Sequence, residues 1–213
     1  MLDAIAKAFQ EGGEFMYFIT LASAFASAVV LERAWVLVVR YRADLDRIGE
    51  SLTRLFKSGQ AGKDDLDVVE SQAASPVARM ALAALQNDRQ DTRTVKDRVQ
   101  ETYLSIVPEV QVRTSYLNML ANVATLLGLL GTIIGLIEAF AGVAAADPSR
   151  KQALLASGIA IAMNTTAYGL MVAIPCMVSY TVLSARMNNI MAQVEAVRSR
   201  IQSWLAARSA QAA

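Results

Sequence analysis

The chain has 213 residues, 54% of them hydrophobic, with 20 Lys/Arg against 19 Asp/Glu and no histidine. The missing histidine excludes Ser-His nucleophilic triads and His-ligated metal centres. A single cysteine, Cys176, excludes an intrachain disulfide, and the near-zero net charge argues against nucleic-acid binding, which needs a basic excess.

The apolar residues are concentrated in three runs, 15–39, 116–143 and 153–183. Each exceeds the ~20 residues needed to cross a bilayer as a helix. The predicted fold is all-α: an integral membrane protein with three transmembrane helices, a large helical cytoplasmic loop and long cytoplasmic helix extensions. The start, MLDAIAKAFQEGGEF, lacks the basic region of a cleaved signal, so the first span is expected to be retained. Within 1–14, Leu2, Ile5, Ala6 and Phe9 share one face, which predicts a short amphipathic helix at the outer membrane interface.

Residues 40–115 form the polar block, with charges in balance. Leu45, Ile48, Leu52 and Leu55 keep helical spacing, 58–62 reads as a break, and 64–70 as a short acidic helix. Ser75-Pro76 opens a helix through Leu85, with proline at a tolerated first-turn position, and 87–91 reads as a polar turn. From Thr92 one long helix is predicted to run into the second span along Val99, Tyr103, Ile106, Val110, Arg113 and Leu117, with a kink or break at Pro108. A short outer loop, 144–152, joins the second and third spans. Beyond it, Leu183, Met187, Ile190, Val194, Val197, Ile201 and Trp204 give a coiled-coil-like seam that runs into the C-terminal helix, 184–213. Arg33, Arg40, Arg42, Arg47, Arg113, Arg186, Arg198 and Arg200 fall on one side of the spans, against Lys7, Arg150 and Lys151 on the other. The positive-inside rule then places the N-terminus outside, and the 40–115 block and C-terminus in the cytoplasm.

The second and third spans carry small residues where leucine is usual. Gly128, Gly131 and Gly135 make one stripe with Thr132, and Gly158 and Gly169 make another with Thr165 and Thr166. Such stripes let helix backbones approach closely. The spans run antiparallel, so Thr132 and Thr166 fall at similar depth. Two readings of these hydroxyls stand: a ring that meets water, an ion or a charged group, or threonines that bond their own i−4 carbonyl and pack like valine. Glu138 is the one carboxylate well inside a span. It is a candidate for the ion path by its cost of burial, or it snorkels or pairs with Arg150 or Lys151. Asn164 suits a helix–helix hydrogen bond and Cys176 apolar packing. Glu32-Arg33 reads as an interfacial ion pair and, with Trp35, as a membrane-interface anchor. Nothing here supplies a nucleotide loop, a metal site or a cofactor site, and the chain is not expected to be an enzyme.

GLLGTIIGLIEAF (128–140), GIAIAMNTTAYGLMVAIPCMVSY (158–180) and LERAW (31–35) together resemble the MotA/TolQ/ExbB proton-channel family, in its three-span ExbB/TolQ branch. The resemblance implies a homopentamer in the bacterial inner membrane whose second and third spans line a pore. A dimer of a single-span ExbD- or TolR-like partner would thread that pore with a membrane Asp. Ion flow would then drive a TonB-, TolA- or gliding-machinery-like envelope protein. The chain would be a stator subunit, with Thr132 and Thr166 as pore threonines and Pro175 as the third-span kink. The family's third-span Glu is Ile161 here, its proline before the glycine motif is Thr125, and the Asn after Tyr180 is Thr181. These departures leave Glu138 or Thr165 to compensate and leave room for a gliding-motility motor of the AglR type. The oxygens of Thr132, Thr165 and Thr166 are compatible with sodium as well as protons. A structural membrane scaffold without ion flux is the alternative.

Overall fold

The computed structural model describes residues 13–58, 62–86 and 91–212. The helix expected within 1–14, the break at 58–62 and the turn at 87–91 fall wholly or mostly outside these. Among the described residues there is no strand. The helices are α1 (Phe15–Ala34), α2 (Leu45–Ser58), α3 (Lys63–Glu70), α4 (Pro76–Leu85), α5 (Thr92–Gln111), α6 (Thr114–Ala145) and α7 (Lys151–Ala212), and a π-helical segment, Trp35–Arg40, follows α1. Three stretches, Phe15–Arg40, Thr92–Ala145 and Lys151–Ala210, contain helix long and apolar enough to cross a membrane. Large apolar side chains such as Phe25, Leu126, Phe140, Met171 and Val178 stand exposed on them. Exposed apolar surface of that extent suits lipid or neighbouring membrane helices, not water.

The chain divides into two compact units: 1–32 with 113–182, and 33–112 with 183–213. The first contains α1 to Glu32, all of α6 and α7 to Val182. Here α6 packs on α7 along the glycines, and α1 adds to them through Thr20, whose hydroxyl lies 3.1 Å from that of Tyr168.

The second unit is built around α4. Residues 76–78 and 80–85 of this ten-residue helix are all buried, as expected of a helix apolar on every side. Ser75 is extended (ψ 135°) and Pro76 takes the first helical position, where its missing N–H costs no bond. Ile48, Leu52 and Leu55 of α2 and Val95, Val99, Ile106 and Val110 of α5 add to the core of this unit. So do Ile190, Val194 and Ile201 of α7, which lie on the seam read from the sequence. Each such side chain, fully buried, contributes about 1.5–3 kcal/mol. Phe56 stacks on Trp204 at 5.4 Å between ring centroids, and the Arg198 guanidinium lies 4.2 Å over the Tyr103 ring while donating to Gln100 at 2.8 Å.

Two local features differ from the sequence expectation. The helix from Thr92 does not break at Pro108. It runs on to Gln111, and the break comes at Val112 (ψ 143°) and Arg113 (φ 64°). Proline forfeits the bond from its own nitrogen, but its carbonyl still accepts the Val112 N–H at 3.0 Å, so the helix survives one more turn. Arg113 is the one non-glycine residue with positive φ among those described. A left-handed conformation costs a bulky residue ~1–2 kcal/mol, and an ion pair to Glu32 at 2.5 Å opposes that cost.

The second difference is the π segment. Tyr41 N–H bonds the Val36 carbonyl at 2.9 Å, one residue further back than in an α-helix. The wider turn rotates the chain beyond it and leaves Tyr41 buried, its hydroxyl donating to Glu109 Oε1 at 2.9 Å. Glu109 Oε2 accepts from Arg79 at 2.6 Å. Partial burial pushes the Glu109 carboxyl upward, but the Arg79 and Tyr41 bonds outweigh it and hold the group below its ordinary value.

Candidate functional site

The site lies where α6 meets α7, and glycine makes the meeting possible. A Cβ on Gly128 would sit 3.3 Å from Gly169 Cα, and one on Gly169 would sit 2.7 Å from the Ala124 carbonyl oxygen. A Cβ on Gly135 would meet Ala162 Cβ at 3.3 Å. A methyl on Gly131 would collide with the Thr165 side chain, and one on Gly158 with Ala139. The backbones therefore touch through most of the span, as small residues in membrane helices permit. Gly142, with nothing within 4 Å of its hypothetical Cβ, stands clear of the seam.

That closeness brings Thr132 and Thr166 into direct hydrogen-bonding contact, hydroxyl to hydroxyl. Their other bonds cross over. Thr166 Oγ1 donates to the Gly128 carbonyl of α6 at 3.0 Å, and Thr132 Oγ1 donates to the Ala162 carbonyl of α7 at 3.2 Å or to its own Gly128 at 3.1 Å. Gly128 and Ala162 are the i−4 positions of Thr132 and Thr166, so each threonine reaches the carbonyl that back-bonding would assign to the other. Two protons and four oxygens form a closed cluster bridging the helices. A hydroxyl carries one donor and two acceptor lone pairs, so the two protons serve the hydroxyl pair and the two carbonyls in turn, and each oxygen keeps acceptor capacity.

Thr165 is placed differently. It is fully buried, packs against Gly131, and its hydroxyl donates to its own Ile161 carbonyl at 2.9 Å. Glu138 is exposed and lies outside the threonine cluster. Counting 100° per residue puts it about 120° around α6 from Thr132. Ile161 faces the start of α1, 3.8 Å from a Cβ on Gly13. Pro175 lies inside α7, which continues through it. It lines a groove of about 480 Å³ beside α1 with Ser23, Ser27, Tyr168, Cys176 and Ser179. The α1 side of the seam, marked by Phe15 at 3.4 Å from a Cβ on Gly131, is thus opposite the edge that carries Thr132 and Thr166.

The anchor residues also rearrange. Glu32 pairs with Arg113 of α6 and not with adjacent Arg33, because neighbours one apart on a helix do not face each other. Arg33 is buried at 3% exposure, and Trp35 stands exposed at the head of the π segment. Sequence reasoning counted Arg113 toward the charge bias and the helical run into the second span but not as a partner of Glu32, and it missed Tyr168, which joins α1 to α7. The available signal for Arg113 was opposite charge at the same end of two antiparallel spans.

No group of three or more Cys, Asp or Glu able to hold a metal occurs among the described residues. Comparison with known proteins gives the family. Over 89 residues the chain is 42% identical to the biopolymer transport protein exbB1 of Vibrio cholerae, a match covering 42% of this chain and 39% of that one. It is 25% identical over 201 residues to a putative biopolymer transport protein ExbB homolog of Methanothermobacter thermautotrophicus, covering 94% of this chain and 70% of the relative. It is 28% identical over 171 residues to the Tol-Pal system protein TolQ of Haemophilus influenzae, covering 76% and 75%. The sequence profile of the MotA/TolQ/ExbB proton channel family matches residues 72–196, more than half of the chain and all of the α6–α7 seam, and the chain accordingly belongs to that family.

Proposed function

We propose that this protein is the pore-forming stator subunit of an inner-membrane motor, conducting protons and passing work to the envelope through a single-span partner. The observation that carries the proposal is the Thr132–Thr166 cluster: two hydroxyls bridging antiparallel membrane helices on the edge away from α1. In a homopentamer that edge would face the axis, and five clusters would make a collar. The N-terminus would be periplasmic and the polar unit cytoplasmic, as the arginine bias suggests.

The chemistry suits a partner helix with a membrane Asp. Hydroxyls that point their protons at carbonyls accept a bond from a protonated carboxyl. Rotated, the same hydroxyls donate to a carboxylate. One site can therefore hold both protonation states of a carrier at similar cost, so that neither state is trapped as the ion passes. Glu138 is assigned to the outer approach, and Thr165 to fixing the seam. The relatives' names favour biopolymer transport or Tol-Pal service as the load, with gliding as a further outcome.

The test is Thr132→Ala combined with Thr166→Ala in the native complex. Assembly should survive, because both sites keep a Cβ, while proton flux and work output should be lost. Normal flux and output from the double variant would overturn the assignment of Thr132 and Thr166 to the pore.

A further inference from the structure

One arc of α6 changes character at Thr132. Taking 100° per residue, Asn118, Asn122, Thr125, Leu129 and Thr132 fall within an arc of about 80°, and four of these five are polar. Past Thr132 the bearings of Asn118, Asn122 and Thr125 recur as Leu136, Phe140 and Val143, all apolar. So the half of the arc nearest Thr114 is polar and the other half is dry.

Depth makes the polar half costly unless it is wet. Asn122 lies about 11 Å from the midpoint of α6 and Thr125 about 7 Å, inside the ~15 Å half-thickness of the hydrocarbon layer. Both are exposed on this chain. The Asn122 carboxamide has no hydrogen-bond partner among the described residues, and the Thr125 hydroxyl uses its proton on its own Ala121 carbonyl at 3.0 Å, which leaves its lone pairs outward. Polar groups at such depth face a water-filled cavity or another helix, since lipid does not satisfy them. Their bearings lie within about 80° of that of Thr132, away from the α1 side.

We propose that Asn118, Asn122 and Thr125 line a hydrated half-channel between the threonine cluster and the Thr114 end of α6. Through it, a proton released at the cluster reaches the cytoplasm. This rests on the pore reading above and adds to it a route and an asymmetry: this chain wets only the cytoplasmic half. Leu129 is the single apolar constriction between Thr125 and Thr132. The outer half then needs its polar groups from the partner helix, because Glu138 lies about 120° or more from every residue of this arc.

The experiment is cysteine accessibility in the full complex in inverted membranes, in a Cys176→Ala background. Asn118→Cys, Asn122→Cys and Thr125→Cys are each treated with a charged, membrane-impermeant thiol reagent from the cytoplasmic side. Val123→Cys, about 10 Å from the midpoint of α6 and at least 100° around it from Asn122 and Thr125, is the lipid-facing comparison. The half-channel predicts modification at Asn122→Cys and Thr125→Cys at least about tenfold faster than at Val123→Cys, the margin expected of water over hydrocarbon. It also predicts that Asn122→Leu with Thr125→Val slows proton flux while Asn122→Gln retains it. Reaction no faster than at Val123→Cys overturns the half-channel. Flux through Thr132→Ala/Thr166→Ala, measured in parallel, separates the two ideas. If that variant is dead and Asn122→Cys is unreactive, only the route is wrong. If that variant conducts normally, the pore reading and the route fall together.

Discussion

The α6–α7 seam and the core around α4 are both tightly packed, by opposite means. In the seam, backbones touch because Gly128, Gly135 and Gly169 remove side chains from between them. Around α4 the space is filled by Met80, Leu85, Ile48, Leu52 and Ile106, all nearly inaccessible. The difference follows from the solvent each element meets. In water, apolar volume removed from contact with solvent is itself the driving force. Between membrane helices lipid is as apolar as leucine, so contact is favoured only by fit and by hydrogen bonds. Packing that relies on fit tolerates no added atom, and packing that relies on volume tolerates no lost one.

The largest expected effect is therefore the smallest addition. Gly169→Ala places a methyl 2.7 Å from the Ala124 carbonyl oxygen and 3.1 Å from Gly128 Cα, and both are backbone atoms that cannot rotate aside. The helices must separate, at a cost of about 3 kcal/mol or more, the upper end for overpacking. Separation also breaks the crossed bonds of Thr132 and Thr166, so assembly yield and flux should fall together. Gly142→Ala adds the same methyl where nothing lies within 4 Å, and it should behave as the natural chain. Equal behaviour of the two variants would mean that the seam is not set by close fit.

The converse change belongs to the other region. Met80 is inaccessible in the α4 core, and Met80→Ala should destabilise the polar unit by about 2–3 kcal/mol through lost transfer energy and a residual cavity. Thermal unfolding followed in detergent should report it as a lowered Tm. An unchanged Tm would show that the core collapses around the gap.

Much of this contrast was legible from residue types. The glycine stripes announced close approach, and the alternation Leu183, Ile190, Val194, Ile201 announced the buried face of α7. Ser75-Pro76 marked the start of α4, since a first turn is where proline's missing N–H costs no bond. The rest depended on relations that local patterns do not carry. The displaced break after Pro108 arises because a proline near a helix end loses one bond and no more. The π turn at Trp35–Arg40 has no composition signal, and so the burial of Tyr41 was invisible. Within the site, similar depth for Thr132 and Thr166 followed from counting residues. The crossing of their bonds did not, because it depends on how the two helices are rotated. Thr165 and Thr166 are neighbours in sequence, yet a 100° step buries one against Gly131 and leaves the other at the edge.

The smallest effect tests whether the polar unit relies on charge as well as volume. Arg79 and Tyr41 hold the Glu109 carboxyl below its ordinary value although partial burial works against them. A group whose folded value is depressed contributes stability that is present above its unfolded value and is lost as the pH falls through the folded one. Melting of the natural chain should thus drop more steeply than that of Glu109→Gln as the pH is lowered from neutrality through the ordinary glutamate range and below. The two curves should converge at the acid end, where the carboxyl is protonated and resembles the amide. The pair with Arg79 is partly exposed, so solvent screening keeps the gap at neutral pH small. It should shrink further in high salt. A gap that persists with full size at acid pH would mean that Glu109 acts by shape and hydrogen bonding alone, and the polar unit would then resemble the seam more closely than its filled core suggests.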